Sequence, residues 1–215
     1  MIDPLMRPPV GPHSLEDLRD TAPPPTRTAP PRLIGAVEEL HEYVTGFDPR
    51  RFAWSMTRLV RSFTLPRVRA RLLASTGCAI GPGTAVTGYV NLVGPRDCAR
   101  RLTVGPGCII GPDVTFCLDA PITLGTNVSI GPHALLYTAT HPLGISSRRM
   151  QLDLMARPIT IGDGAWIGLG AMILAGVCVG RGAVVASGAV VNENVPENVL
   201  IAGNPAAVVR ELPGR

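Results

Sequence analysis

The chain contains no lysine: all 20 basic residues are arginine, set against 16 acidic residues. This bias fits a GC-rich coding sequence. The net charge of +4 suits phosphate-bearing ligands but is no nucleic-acid signature, so no nucleic-acid partner is expected. Aromatic residues make up only 4% of the chain, so aliphatic side chains must fill the core. No uninterrupted apolar run reaches 18 residues, which excludes a membrane-spanning helix and leaves no membrane partner expected. The N-terminus lacks a basic start followed by an apolar run, which points to the cytoplasm. The five cysteines (Cys78, Cys98, Cys108, Cys117, Cys178) are odd in number and show no CxxC spacing, so they read as buried free thiols rather than a metal or disulfide set.

What the chain does have is a period. An aliphatic residue returns every six positions at Ile161, Ile167, Ile173, Val179, Val185 and Val191. Four positions after each sits a small or β-branched residue: Ala165, Ala171, Val177, Ala183, Ala189 and Val195. Neither the helical period of 3.6 nor the strand period of 2 produces this spacing. A hexapeptide repeat marks an all-β solenoid, a three-sided parallel β-helix with one short strand and one turn per six residues. The 24 glycines suit a chain that turns so often, and stacked aliphatics need no bulky ring to fill space.

The repeat organises the rest. Residues 1–32 are proline-rich and read as a poorly ordered arm. Residues 33–75 read as a helical segment in three pieces. Leu33–Val44 follows helical spacing; a second piece opens at Pro49, with Phe52, Met56, Leu59, Val60 and Phe63 on one apolar face. A third opens at Pro66, with Val68, Leu72 and Leu73 inward and Arg67, Arg69 and Arg71 outward. Helices this short need a partner, and capping the open end of the solenoid supplies one. The β-helix domain spans 76–205, and 206–215 forms a terminal tail with a short helix or strand. Hexads begin at Ile80, Val104, Ile110, Leu124 and Ile130, and then the pattern stops from Leu136 to Thr160. A 25-residue excursion inside a compact repeat is uncommon unless it serves a function.

That excursion opens on Tyr137-Thr138-Ala139-Thr140-His141-Pro142-Leu143 and closes on Ile159-Thr160-Ile161-Gly162-Asp163-Gly164-Ala165-Trp166-Ile167-Gly168. With the closing stretch from Val195 to Leu212, these motifs resemble the hexapeptide-repeat acetyltransferases. The branch they resemble holds the maltose and galactoside O-acetyltransferases and bacterial polysaccharide O-acetyltransferases. The likeness runs from about Thr103 to Arg210, half the chain. It implies a left-handed parallel β-helix, acetyl-coenzyme A as cosubstrate, no metal, and a homotrimer with its active site between two prisms. It implies that His141 is the general base, taking a proton from a hydroxyl of a sugar or glycosylated metabolite; an imidazole titrating near ~6.5 suits that task.

The same resemblance puts Asp119 and Tyr137 on the acceptor side. The coenzyme would meet Trp166, Gly168, Leu169, Ser187 and Gly188, with Arg210 near its phosphates. Two positions depart from the family: Gly111–Asp113 stands where an asparagine would reach the active site, and Asn192-Glu193 stands where threonine and lysine are common. Arg181 would supply the cation lost at the second. Trp166 falls on an outward slot, so it covers either a ligand or a neighbouring subunit. An amine acceptor is the alternative within this class, and a non-catalytic scaffold is the alternative outside it. A metal-dependent carbonic anhydrase on the same repeat needs three converging histidines, and only His133 and His141 lie in the repeat region.

Overall fold

The computed structural model describes residues 49–59 and 65–214. The proline-rich arm and the helix expected over Leu33–Val44 lie outside them. The chain forms a left-handed parallel β-helix of about six turns behind a short helical segment.

Each turn contributes one strand to each of three faces. The first face stacks β1 (Ala79–Ile80), β4 (Leu102–Val104), β7 (Ile122–Leu124), β12 (Ile159–Ile161) and β15 (Cys178–Val179). The second stacks β2 (Ala85–Val86), β5 (Ile109–Ile110), β8 (Ser129–Ile130), β13 (Trp166–Ile167), β16 (Val184–Val185) and β18 (Val199–Gly203), and ends with β19 (Ala206–Glu211) antiparallel on β18. The third stacks β3 (Val90–Val93), β6 (Val114–Cys117), β9 (Leu135–Tyr137), β14 (Met172–Ile173) and β17 (Val190–Val191). Every pairing within the prism is parallel until that final hairpin.

The register explains the period. Val86, Ile110, Ile130, Ile167, Val185 and Ile201 are successive partners down the second face, and each is buried. The small residue four positions on fills the corner: Ala165, Ala171, Ala183 and Ala189 are all buried. Cys108 takes this slot in its hexad and is buried as well. Three positions after the inward residue the backbone turns into the left-handed region. Asn127 (φ 55), His133 (φ 58) and Gly170 (φ 64) all occupy such a slot, so His133 is a turn residue on an exposed corner. Coils also approach closely: a Cβ on Gly168 would lie 2.5 Å from the amide nitrogen of Ser187, which restricts this position to glycine.

The helices depart from the faces expected of them. In α1 (Pro49–Met56) the buried side chain is Trp54, whose indole donates to the carbonyl of Val90 (3.2 Å) and stacks on Tyr89. Phe52, Met56 and Leu59, expected to face inward, are exposed. In α2 (Pro66–Ser75), which packs on β1 and β2, Leu73 is buried as expected. Arg69, however, points in at 2% exposure, while Val68 points out. One large aromatic anchor settles the rotation of so short a helix more strongly than the count of aliphatics. Among the described residues, no helix is long and apolar enough to cross a membrane.

Replacing Ile167 by Asp places an unpaired charge in this stack, at a cost of several kcal/mol, comparable to the stability of a domain. Ile167→Asp is expected to lose cooperative thermal melting, whereas Ile167→Val should cost only about 1 kcal/mol. A normal melt for Ile167→Asp, followed by circular dichroism, would show that this position does not face inward.

Candidate active site

The steps between successive inward residues locate the irregularities. Within each coil they are six, as from Leu124 to Ile130 to Leu136. From the third face to the first they become twelve (Leu92 to Val104), eight (Phe116 to Leu124) and 25 (Leu136 to Ile161), before returning to six at Ile173 to Val179. All added residues therefore emerge at one corner, on three successive coils.

The insertions at that corner are tied together. The first carries a 3-10 turn, Cys98–Arg101, from which the Arg101 guanidinium donates to the carbonyl oxygens of Leu118 (3.2 Å) and Asp119 in the second. The Cys117 thiol donates to Asp119 Oδ2 at 3.2 Å. Thr138, fully buried at the start of the third insertion, donates to the carbonyl of Cys117 (2.6 Å) and accepts from the amide of Ala120 (3.0 Å). Cys117 is also the register partner of Tyr137, so Asp119 and Tyr137 share this corner. Burial pushes the Cys117 thiol up from 9.0 to about 12, helped by the hydrogen bond to Asp119 and its charge, so it stays a neutral donor. Cys78, Cys98, Cys108 and Cys117 are buried, but Cys178 is exposed on the outward slot of β15.

The third insertion leaves the prism through an antiparallel stem, β10 (Ala139–Thr140) paired with β11 (Met155–Ala156). The described residues divide between two compact units, and His141–Asp153 belongs to a different unit from the coils. Within this loop Leu143 bridges Met150, the amide of Gly144 donates to Arg149 (2.7 Å), and that of Gln151 donates to Pro142 (3.2 Å). His141 Nδ1 lies 3.1 Å from the carbonyl oxygen of Asp153 at the far end of the loop. A carbonyl only accepts, so Nδ1 carries the proton; in the neutral ring Nε2 is then left with its lone pair.

The residues assigned to the coenzyme fall in three places. Gly168, Leu169, Ser187 and Gly188 meet at the corner between the second and third faces, where the amide of Gly188 donates to Leu169 (2.8 Å). Trp166 lies outward on the second face, 56% exposed, between Ser129 and Val184. Arg210 is exposed on β19, opposite Leu200. Arg181 is not with them: it stands at the corner between the first and second faces, where its carbonyl accepts from Asn198. Among the described residues, no group of three His, Cys, Asp or Glu side chains is placed to hold a metal.

Sequence reasoning missed Arg101, Cys117 and Thr138. Thr138 lay inside the motif that opens the excursion and Cys117 two residues before Asp119, so only their roles escaped, whereas Arg101 carried no local signal, because its partners are 17 and 18 residues away.

Comparison with known proteins agrees with this architecture. The bacterial transferase hexapeptide (six repeats) family matches residues 158–193. A Dictyostelium discoideum protein provisionally named an acetyltransferase is 40% identical over 163 residues, covering 76% of this chain and 79% of that protein. Two solved structures share the fold. A hexapeptide-repeat acetyltransferase from Vibrio cholerae, complexed with acetyl-coenzyme A, is 30% identical with a TM-score of 0.64, over 82% of this chain and 99% of that one. A maltose O-acetyltransferase from Clostridium difficile is 27% identical with a TM-score of 0.65, over 77% and 87%. The chain belongs to the hexapeptide-repeat acetyltransferases.

Thr138→Val keeps the shape and deletes both hydroxyl bonds, a loss of about 1–3 kcal/mol that should lower the melting temperature by a few to about ten degrees. A Thr138→Val protein melting like the wild type would remove the hydroxyl from its bracing role. The raised Cys117 thiol favours folding fully below about pH 9, and this contribution fades as pH rises through about 12. Stability should therefore fall more steeply over that range in the wild type than in Cys117→Ala. On the native protein, alkylation followed by mass spectrometry should label Cys178 well before Cys117.

Proposed function

We propose that the enzyme transfers an acetyl group from acetyl-coenzyme A to a hydroxyl of a sugar or glycosylated metabolite, with His141 as general base. The observation that carries this reading is the Nδ1 contact of His141 with the Asp153 carbonyl, which leaves Nε2 as a free acceptor. Nε2 takes the hydroxyl proton as the oxygen attacks the thioester carbon, and the coenzyme departs as its thiolate. Asp119, braced by Arg101 and Cys117, and Tyr137 beside it bind the acceptor. The hydroxyl acceptor is supported by the likeness to the maltose O-acetyltransferase, and the donor by the Vibrio structure's bound acetyl-coenzyme A.

Trp166, Gly168, Leu169, Ser187 and Gly188 line the pantetheine path, and Arg210 meets the phosphates. Arg181 stands one corner away, so it would contact only the nucleotide end. The stem that carries His141 and the Gly168–Gly188 corner lie at different edges of the prism. A site made of both is complete only when two copies meet, which fits a homotrimer. The outward ladder Leu135, Met172 and Val190 on the third face offers an apolar contact for it.

Thiol release from acetyl-coenzyme A with a panel of sugars tests the chemistry: His141→Ala should lower turnover by about 10²–10⁴-fold. Turnover retained in His141→Ala would remove the base. If the site is shared, mixed trimers of inactive His141→Ala and inactive Ser187→Trp should regain part of the activity. Verified mixed trimers that stay inactive would place the site within one chain.

A further inference from the structure

The charge of this chain is unevenly spread. Residues 49–104, the helical segment with the first coil, hold ten arginines and a single acidic residue, Asp97. Residues 105–215 hold six arginines and seven acidic residues, and residues 1–48 hold four arginines and eight. Among the described residues the cationic excess thus belongs to the helical segment and the first coil. There Arg67 and Arg71, one turn apart on α2, line a groove of about 400 Å³ against Ile80–Thr84 of the first coil. Arg58, Arg96 and Arg100 are exposed in the same part of the chain.

The apolar residues at this end make the charge informative. Phe52 and Met56 share the outer face of α1, Leu59 is 81% exposed, and Leu65 is 61% exposed at the left-handed residue before α2, followed by exposed Val68. A solvated arginine face does not need these side chains, and a soluble polyanion has no place for them. Arginines alternating with exposed Phe, Leu and Met are what the headgroup layer of a bilayer accepts: the cations meet lipid phosphates and the apolar groups enter the acyl boundary. The lack of a long apolar run, on which no membrane partner is expected from sequence, bears only on a spanning helix and leaves this mode of contact open.

We propose that this end of the protein docks on an anionic phospholipid surface through Arg67 and Arg71 together with Leu59 and Leu65. Charge complementarity selects anionic over neutral lipid. The exposed leucines select a bilayer over a nucleic acid or an acidic polysaccharide.

Sedimentation of the full chain with vesicles tests this, using phosphatidylcholine with or without roughly one-third phosphatidylglycerol. The protein should pellet with the anionic vesicles, stay in solution with the neutral ones, and be released by high salt. Arg67→Gln with Arg71→Gln should weaken partitioning about thirty-fold, the loss of two cations near the surface. Leu59→Ser with Leu65→Ser should weaken it too while keeping its salt dependence. Thermal melting matched to the wild type establishes that each variant folds. Failure of the full chain to pellet with anionic vesicles would overturn the proposal, and so would partitioning unchanged by the arginine pair. Binding to polyphosphate that matches vesicle binding and ignores the leucine pair would also overturn it, marking a soluble polyanion site instead.

Discussion

The structure depends on one constraint: each coil must hydrogen-bond to the next in register while its aliphatic residue drops onto the one below. The amide of Gly168 donates to Val185 and that of Gly131 to Ile167, both at 2.8 Å, and these bonds recur down the prism. A strand of two residues has almost no stability alone, so the ladder and the aliphatic stack stabilise each other. This coupling enforces the six-residue period. It also accounts for glycine at close approaches and for Asn127 and His133 in left-handed turns.

Because the stack tolerates no change within a face, extra residues can leave only at a corner, and here they leave at the same corner on three successive coils. Arg101, Cys117 and Thr138 then bind the insertions to one another, making a braced polar edge on the prism. Polar groups so braced are held at little conformational cost, which suits an acceptor site. The candidate base stands on a loop that returns to its own start through His141 and Asp153.

The prism was legible in the sequence because its constraint is local and repeated: six positions separate Ile161 from Ile167 and each inward residue from the next, as far as Val191. The candidate base was legible through the motif around it. What escaped was decided by contacts distant in sequence. Arg101 braces Asp119 across a coil, and Trp54 turns α1 by reaching Val90, which leaves Phe52 and Met56 outward against their pattern. The excursion of 25 residues gave no sign of its antiparallel stem, since a two-residue strand has no period to read.

The central claim is that acetyl transfer takes place at the corner where the coils are interrupted. A crystal structure of the assembled protein with coenzyme A bound tests it directly. The account predicts the thiol of the coenzyme beside the stem of the third insertion, with His141 Nε2 facing it across space for one acceptor hydroxyl. A thiol lying over the uninterrupted corner at Asp163 and Arg181, away from every copy of His141, would contradict it.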